Sequence, residues 1–191
     1  MNLNNEITAF IIAGGRSRRF GRDKLLHEYR GKPVIKHVVD SLAMVFTDIV
    51  IIANEIEKLS FLGLPVYADI IQGIGPAGGI YTALTHLKTG KAFCFAGDMP
   101  NIDPGFIRYM IEVSGDYDVV VPYIDNYYEA LHSIYSKQCL ILLKDNISKG
   151  NYQLIKLVER CFLKKIERTE IEAHSGVKDI FKNINYPDDI D

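Results

Sequence analysis

Apolar residues along this chain recur with two alternating periods. Ile7 to Ile12 is an unbroken run of mostly β-branched and aromatic positions, which reads as a strand covered on both faces. From Pro33 to about Phe46 the spacing changes to threes and fours. Val34, Ile35, Val38, Val39, Leu42 and Val45 make one stripe, which predicts a helix lying on a sheet with Pro33 in its first turn. A second apolar run at Asp48 to Ala53 completes a βαβ unit. The alternation continues with LPVYAD as a strand, AGGIYTALTHL as a helix and KAFCFAGD as a strand. DPGFIRYMIEV then predicts a helix with Asp103 as N-cap and Pro104 at its first position, and DYDVVVPYI a further strand.

After VVVPY the rhythm changes. YYEALHSIYS predicts a strand leading into a helix around Lys137 to Asn146, followed by a helix over roughly Tyr152 to Arg160 and a short strand at CFLKKIE. An antiparallel excursion is expected in this half, before a final edge at KNINYPDD. Near-continuous apolar strands separated by helices predict an α/β fold, a Rossmann-like three-layer α/β/α sandwich. Its sheet is expected to be mostly parallel, with a small antiparallel portion in the C-terminal half.

Composition narrows the function classes. The chain has 191 residues, of which 48% are hydrophobic and 24% charged, and it shows no internal repeat or low-complexity linker, so residues 1–191 read as a single domain. A net charge of −2 leaves no global attraction to nucleic acid, so basic character matters only where it is local. No apolar run approaches the roughly 20 residues that cross a bilayer, and MNLNNEITAF lacks the features of a signal peptide, so a cytoplasmic location is expected. Cys94, Cys139 and Cys161 never form a CxxC pair, which favours reduced core thiols over a zinc site or a disulfide framework.

In open α/β sheets ligands gather outside the carboxyl ends of the strands, and the chemically distinctive residues fall there. The strand ends read Ala13-Gly14-Gly15, Ala53-Asn54, Ala68-Asp69 and Ala96-Gly97-Asp98-Met99-Pro100. After the first of them, Arg16, Arg18, Arg19, Arg22 and Lys24 crowd into one short stretch. Glycines behind a buried strand followed by clustered cations suit a polyphosphate, although a basic run is also the ordinary composition of a solvated loop. The spacing excludes both a Walker loop and GxGxxG. Asp98, in a GDMP turn, is placed to hold Mg²⁺ or to cap its own turn. Asp69 contacts a base or ribose, or caps its loop. The glycines of GIGPAGGIYTAL either present N–H groups to a ligand or allow close helix packing. The histidines form no metal-binding pair; His132 alone, in EALHSIY, is placed near a second substrate. No Ser-His-Asp arrangement or GxSxG elbow appears.

IIAGGRSRRFGRDK followed by GKPVIKHV resembles the nucleotidyltransferase signature LAGGxSxRMGxDK…GKP. GPAGGI, GDMP and FKNINYPDD are similar, in order, to the GPLAG, CDxP and NxNxPEE segments of the molybdenum cofactor guanylyltransferase (MobA) family. The resemblance covers essentially the whole chain. It implies transfer of GMP from GTP to the terminal phosphate of molybdenum-molybdopterin, with Mg²⁺ as cofactor and with cofactor-delivery or acceptor proteins as partners. It also implies that Ile12, Ala13, Gly14 and Gly15 lie against the nucleotide. Arg19 and Lys24 would bind its phosphates, Asp69 the nucleoside and Asp98 the metal, while Asn183 and Asn185 would lie on the acceptor side. The nucleotide half would occupy about residues 1–105 and the acceptor half about 106–191. A cytidylyltransferase or sugar-phosphate nucleotidyltransferase is the alternative within the class, and a noncatalytic GTP-binding regulator the alternative outside it.

Overall fold

The computed structural model describes residues 6–14 and 24–184. Strand β1 (Ile7–Ile12) is buried throughout and sits inside an eight-stranded sheet. After it come a 3-10 turn at Lys24–Leu26 and a small antiparallel hairpin of β2 (Glu28–Tyr29) and β3 (Lys32–Pro33). Helix α1 (Val34–Ala43) leads to β4 (Ile49–Ile52), and a 3-10 helix at Ile56–Leu62 to β5 (Val66–Tyr67). Helix α2 (Pro76–His86), β6 (Lys91–Ala96), α3 (Pro104–Glu112) and β7 (Val119–Ile124) follow in the predicted order. The remainder is β8 (Tyr127–Tyr128), β9 (His132–Ser136), α4 (Cys139–Ser148), α5 (Leu154–Val158), β10 (Leu163–Glu167) and α6 (Arg168–His174).

The strand order is β10-β7-β9-β6-β1-β4-β5, with β8 paired to β7. β1 lies parallel to β4 and β6, β4 to β5, and β7 to β10. Strand β9 runs antiparallel between β6 and β7, and β8 antiparallel to β7. A mostly parallel sheet with a small antiparallel portion is therefore what the chain forms. Period-two burial divides the core. Ile7, Ala9 and Ile11 face one layer with Ile35, Val38 and Leu42 of α1, Phe106 and Met110 of α3, and Ile171 of α6. Phe10 and Ile12 face the other with Ala77, Ile80 and Leu84 of α2, Leu143 of α4 and Leu157 of α5. Each fully buried Ile, Leu or Phe is worth about 1.5–3 kcal/mol of transfer free energy, so both layers are strongly specified.

Three expectations are corrected, and a fourth is given its place. Pro33 precedes α1 instead of opening it: its ψ of 142° is extended, and it pairs with Glu28 in the hairpin. YYEALHSIYS is two strands, because residues 129–131 kink the chain, with Ala130 N donating to Tyr128 O and His132 N to Glu129 O, each at 2.9 Å. The antiparallel excursion expected in this half is formed by β8 and β9, while the strand in CFLKKIE runs parallel to β7. No edge strand forms over residues 182–184, and the rest of KNINYPDD lies outside the described residues. Among the described residues no helix is long and apolar enough to cross a membrane.

Candidate active site

The sheet order creates a point of reversal. The chain steps from β1 outward to β4 and β5, and α2 then carries it back to β6 on the opposite side of β1. A crevice opens outside the carboxyl ends of the strands at such a switch point. Here the two flanking ends are Ala13-Gly14 and Gly97-Asp98. Gly97 N donates to Ile12 O at 3.0 Å, and a Cβ at Gly97 would stand 3.4 Å from Ala13 Cα. The two backbones touch, leaving the residues just beyond them to line the crevice.

Lys24 and Asp98 meet there. Leu25, buried, anchors the Lys24–Leu26 turn, and Lys24 Nζ forms an ion pair with Asp98 Oδ2, the two side chains being 22% and 18% exposed. A third remote segment joins them, since Ile184 N donates to Asp98 O at 2.9 Å. Ile184 itself packs with Tyr29 of β2 and Val34 of α1, so Asn183 is carried to the backbone beside Asp98. An ammonium and a carboxylate held together at a switch point are a latent pair of sites: the carboxylate suits a cation and the ammonium an anion.

Asp69 forms a second cluster. Asn54 Nδ2 donates to Asp69 Oδ2 at 2.9 Å, and Asp69 N donates to Asn54 Oδ1 at 3.0 Å. The same Oδ2 would lie 3.2 Å from a Cβ on Gly14, so glycine lets this carboxylate approach the end of β1. Oδ1 is buried and accepts no hydrogen bond among the described residues. Burial raises the Asp69 carboxyl above the usual range, with the Asn54 bond opposing it. An orphaned acceptor beside the switch point is a place for a donor from a ligand.

For the α2 glycines the close-packing reading has direct support. A Cβ on Gly79 would stand 2.5 Å from Ile12 Cγ2, and one on Gly78 2.5 Å from Ile71 O. His132 is corrected outright. It is fully buried among Phe93, Phe95, Phe106 and Phe181, its ring nitrogens have no hydrogen bond among the described residues, and burial holds its pKa down to about 3. It is a neutral core ring, not a group near a substrate. Asp103 caps α3 as predicted, accepting from Gly105 N at 2.7 Å and Phe106 N at 3.3 Å. Its other oxygen accepts from Ser175 Oγ, Gly176 N and Val177 N at 3.0, 2.7 and 3.2 Å, which ties the end of α6 to α3.

The sequence profile of the MobA-like NTP transferase domain matches residues 9–169. This chain belongs to that family. It is 33% identical over 192 residues to a protein of Aquifex aeolicus named "Probable molybdenum cofactor guanylyltransferase", covering 99% of this chain and 90% of the relative. A protein of the same name from Thermococcus gammatolerans is 38% identical over 190 residues, covering 94% of this chain and 95% of the relative. The fold is also that of molybdopterin-guanine dinucleotide biosynthesis protein A from Archaeoglobus fulgidus. That structure gives a TM-score of 0.81 at 24% identity, with 96% of this chain and 94% of that one covered.

Of the residues singled out from the sequence, Ile12, Ala13, Gly14, Lys24, Asp69, Asp98 and Asn183 are described, and all lie at the carboxyl edge of the sheet or on the segment bonded to it. Gly15, Arg19 and Asn185, with Arg16, Arg18 and Arg22, lie outside the described residues. Asn54, at the end of β4, becomes the partner of Asp69 through the β4–β5 pairing, which its place in the sequence does not show. Members of this enzyme class generally use a divalent metal. Among the described residues no group of three or more His, Cys, Asp or Glu side chains could hold one. A single hard carboxylate such as Asp98 fits Mg²⁺, which commonly takes one or two carboxylates and completes its shell with substrate phosphates and water.

Proposed function

We propose that this chain transfers GMP from GTP to the terminal phosphate of molybdenum-molybdopterin, forming the guanine dinucleotide cofactor and releasing pyrophosphate. The observation that carries the reading is the Lys24–Asp98 pair at the β1/β6 switch point, in a chain similar along almost its full length to proteins named for that activity. Residues about 1–105 would serve the nucleotide and about 106–191 the acceptor.

The chemistry asks little of a general base. The attacking phosphate is already anionic, so the protein's task is to align it with the α-phosphorus and to neutralise charge on the departing pyrophosphate. This agrees with the burial of His132 as a neutral ring. Ile12, Ala13 and Gly14, with Gly15, would lie against the nucleotide. Lys24 and Arg19 would hold its phosphates, and Asp69 would offer its orphaned oxygen to a nucleoside N–H or hydroxyl. Asp98 would hold Mg²⁺, which when bound supplies charge neutralisation on the phosphates. Asn183 and Asn185 would face the acceptor, as would any protein that delivers or receives it.

Incubation with Mg²⁺, molybdenum-molybdopterin and labelled GTP or CTP tests this reading. Labelled dinucleotide from GTP with stoichiometric pyrophosphate is expected. Transfer from CTP and not from GTP would overturn the guanylyl assignment, and a stable GTP complex without pyrophosphate would make the protein a binding module.

A further inference from the structure

Two of the three cysteines meet beside Asp118, just before β7, at the amino ends of the parallel strands and so opposite the site just described. Cys139 is the first residue of the ten-residue α4 and is 1% exposed, whereas Cys161 lies in the bend after α5 and is half-buried. Their sulfurs are 3.8 Å apart, within S–H···S hydrogen-bonding distance. Cys139 Sγ also lies 3.4 Å from Asp118 O and 3.8 Å from Ser136 Oγ, and Cys161 Sγ 3.2 Å from Leu157 O, so each thiol proton has a backbone carbonyl as an alternative acceptor to the facing sulfur. Both thiols are free. We propose that Cys139 and Cys161 are a reactive thiol pair that low-molecular-weight disulfides oxidise reversibly to an intramolecular disulfide.

The geometry supplies each requirement. The sulfurs are already in van der Waals contact, and Cys161 sits in a bend, so its side chain can turn to bring them to the bonded separation of about 2.05 Å without breaking a helix or strand. The hydrogen bond from Cys161 holds the Cys139 thiol below its ordinary range, and the amino terminus of α4 favours the same ionised form. The reciprocal contact raises Cys161. Cys94 is different: it is fully buried and its thiol is pushed up by burial.

Exposure assigns the steps. Cys161, the more exposed residue of the two, passes its proton to the neighbouring Cys139 sulfur or to solvent and attacks one sulfur of the reagent RSSR as the thiolate; the reagent's S–S bond breaks and RS⁻ leaves, to be protonated by solvent. Cys139 then attacks Cys161 Sγ in the mixed disulfide. A new S–S bond forms, the second RS⁻ leaves and is protonated, and the net change is one protein dithiol plus RSSR to one protein disulfide plus two RSH. The bond would staple the start of α4 to the junction of α5 and β10, beside Asp118 at the amino end of β7.

The test uses the full chain with excess oxidised glutathione, quenched with N-ethylmaleimide under denaturing conditions and read by intact mass and peptide mapping. The wild-type protein is expected to lose two thiols, retain one free thiol at Cys94, carry no glutathione, and yield a linked peptide pair containing Cys139 and Cys161. Its Tm should rise by roughly 5–10 °C on oxidation and return on reduction. Cys139→Ser should stop at the mixed disulfide and retain one glutathione on Cys161, and Cys161→Ser should do neither reaction. Persistent mixed disulfide in the wild type, or loss of glutathione from Cys139→Ser as fast as from wild type, would overturn the proposal, as would consumption of Cys94 before Cys161.

Discussion

Gly79 is where helix α2 presses directly on Ile12 of the strand that carries the site, and its replacement by alanine gives a prediction with a sign. In an unstrained helix interior this change gains about 1 kcal/mol, because glycine loses more backbone freedom on folding. Here the added Cβ would stand 2.5 Å from Ile12 Cγ2 and 3.3 Å from its Cδ1, against an ordinary contact that begins near 3.4 Å. Ile12 is 6% exposed and β-branched, on a strand paired on both sides, so its methyl cannot swing aside. The helix and strand must separate by about 1 Å, an overpacking cost of roughly 1–3 kcal/mol that takes its upper range here. Gly79→Ala should therefore lose about 1–2 kcal/mol net and lower Tm by about 2–8 °C. Because Ile12 is followed directly by Ala13 and Gly14, KM for GTP should also rise. The decisive assay is a thermal or denaturant double-mutant cycle with Ile12→Ala, which removes the clashing methyl. In that background Gly79→Ala should become neutral or stabilising, a coupling of about 1–3 kcal/mol. Gly78→Ala, whose Cβ meets the Ile71 carbonyl and not Ile12, should keep its full cost in both backgrounds. A Gly79→Ala protein as stable as the parent, or one equally destabilised with and without Ile12, would refute the packing argument.

Asp98→Asn preserves the shape of the Lys24 contact but removes the charge; kcat should fall by about 10²-fold or more while KM for GTP changes only a few-fold, and unchanged turnover would remove Asp98 from the chemical step. Asp69 has a folded-state carboxyl raised by burial, so the folded chain disfavours its ionised form. The resulting penalty is absent below the unfolded value near 3.9 and is complete once pH has passed the folded value. Asp69→Asn should accordingly raise Tm at pH 7 but not at pH 3, with weaker GTP binding in titration calorimetry; equal Tm shifts at both values would contradict this origin. Asp103 is the opposite case: burial alone would raise it, but the hydroxyl of Ser175 and the amides of Gly176, Gly105 and Phe106 hold it below the usual range. Its contribution is complete above about pH 4 and disappears as pH falls through the folded value. Asp103→Asn should cost roughly 2–4 kcal/mol at pH 7 and much less near pH 2, measured by urea unfolding.

The elements legible in the sequence are those whose identity is written in one continuous stretch. β1 was readable to the residue because all six positions are buried, and α1 because one apolar stripe faces one layer. The β2–β3 hairpin was not, because strands of two residues have no period to detect. Its turn is only half written locally: Arg30 and Gly31 have φ of 48° and 84°, and of the two only Gly31 takes the left-handed region without a Cβ penalty. Pro33 misled for a related reason. The φ that proline imposes, here −54°, serves a helix start and an extended strand equally, and only ψ, set by pairing with Glu28, separates the two. Helix α6 was missed because Ile171 is its one buried residue; what fixes it is a capping box between Glu167 and Glu170 and the Asp103 clamp just beyond its end.

The site divides along the same line. That Ala13, Gly14, Gly97 and Asp98 share an edge follows from alternation alone, since a strand–helix–strand unit with parallel strands puts successive carboxyl ends on one side. Which residues pair across that edge does not follow. Asn54 reaches Asp69 only because Ile52 pairs with Tyr67, and Asn183 reaches Asp98 only because Ile184 is held by Tyr29 and Val34. His132 shows the cost of reading a motif without its partners. Period two puts it and Ile134 on the α1 and α3 face, and four phenylalanine rings then exclude the water a catalytic imidazole would need. A residue's position at the edge is a local property of the chain, whereas its chemistry is a property of what folding sets beside it. For that reason the Lys24–Asp98 pair, which joins two motif segments remote in sequence, is stronger support for phosphoryl chemistry than either motif alone.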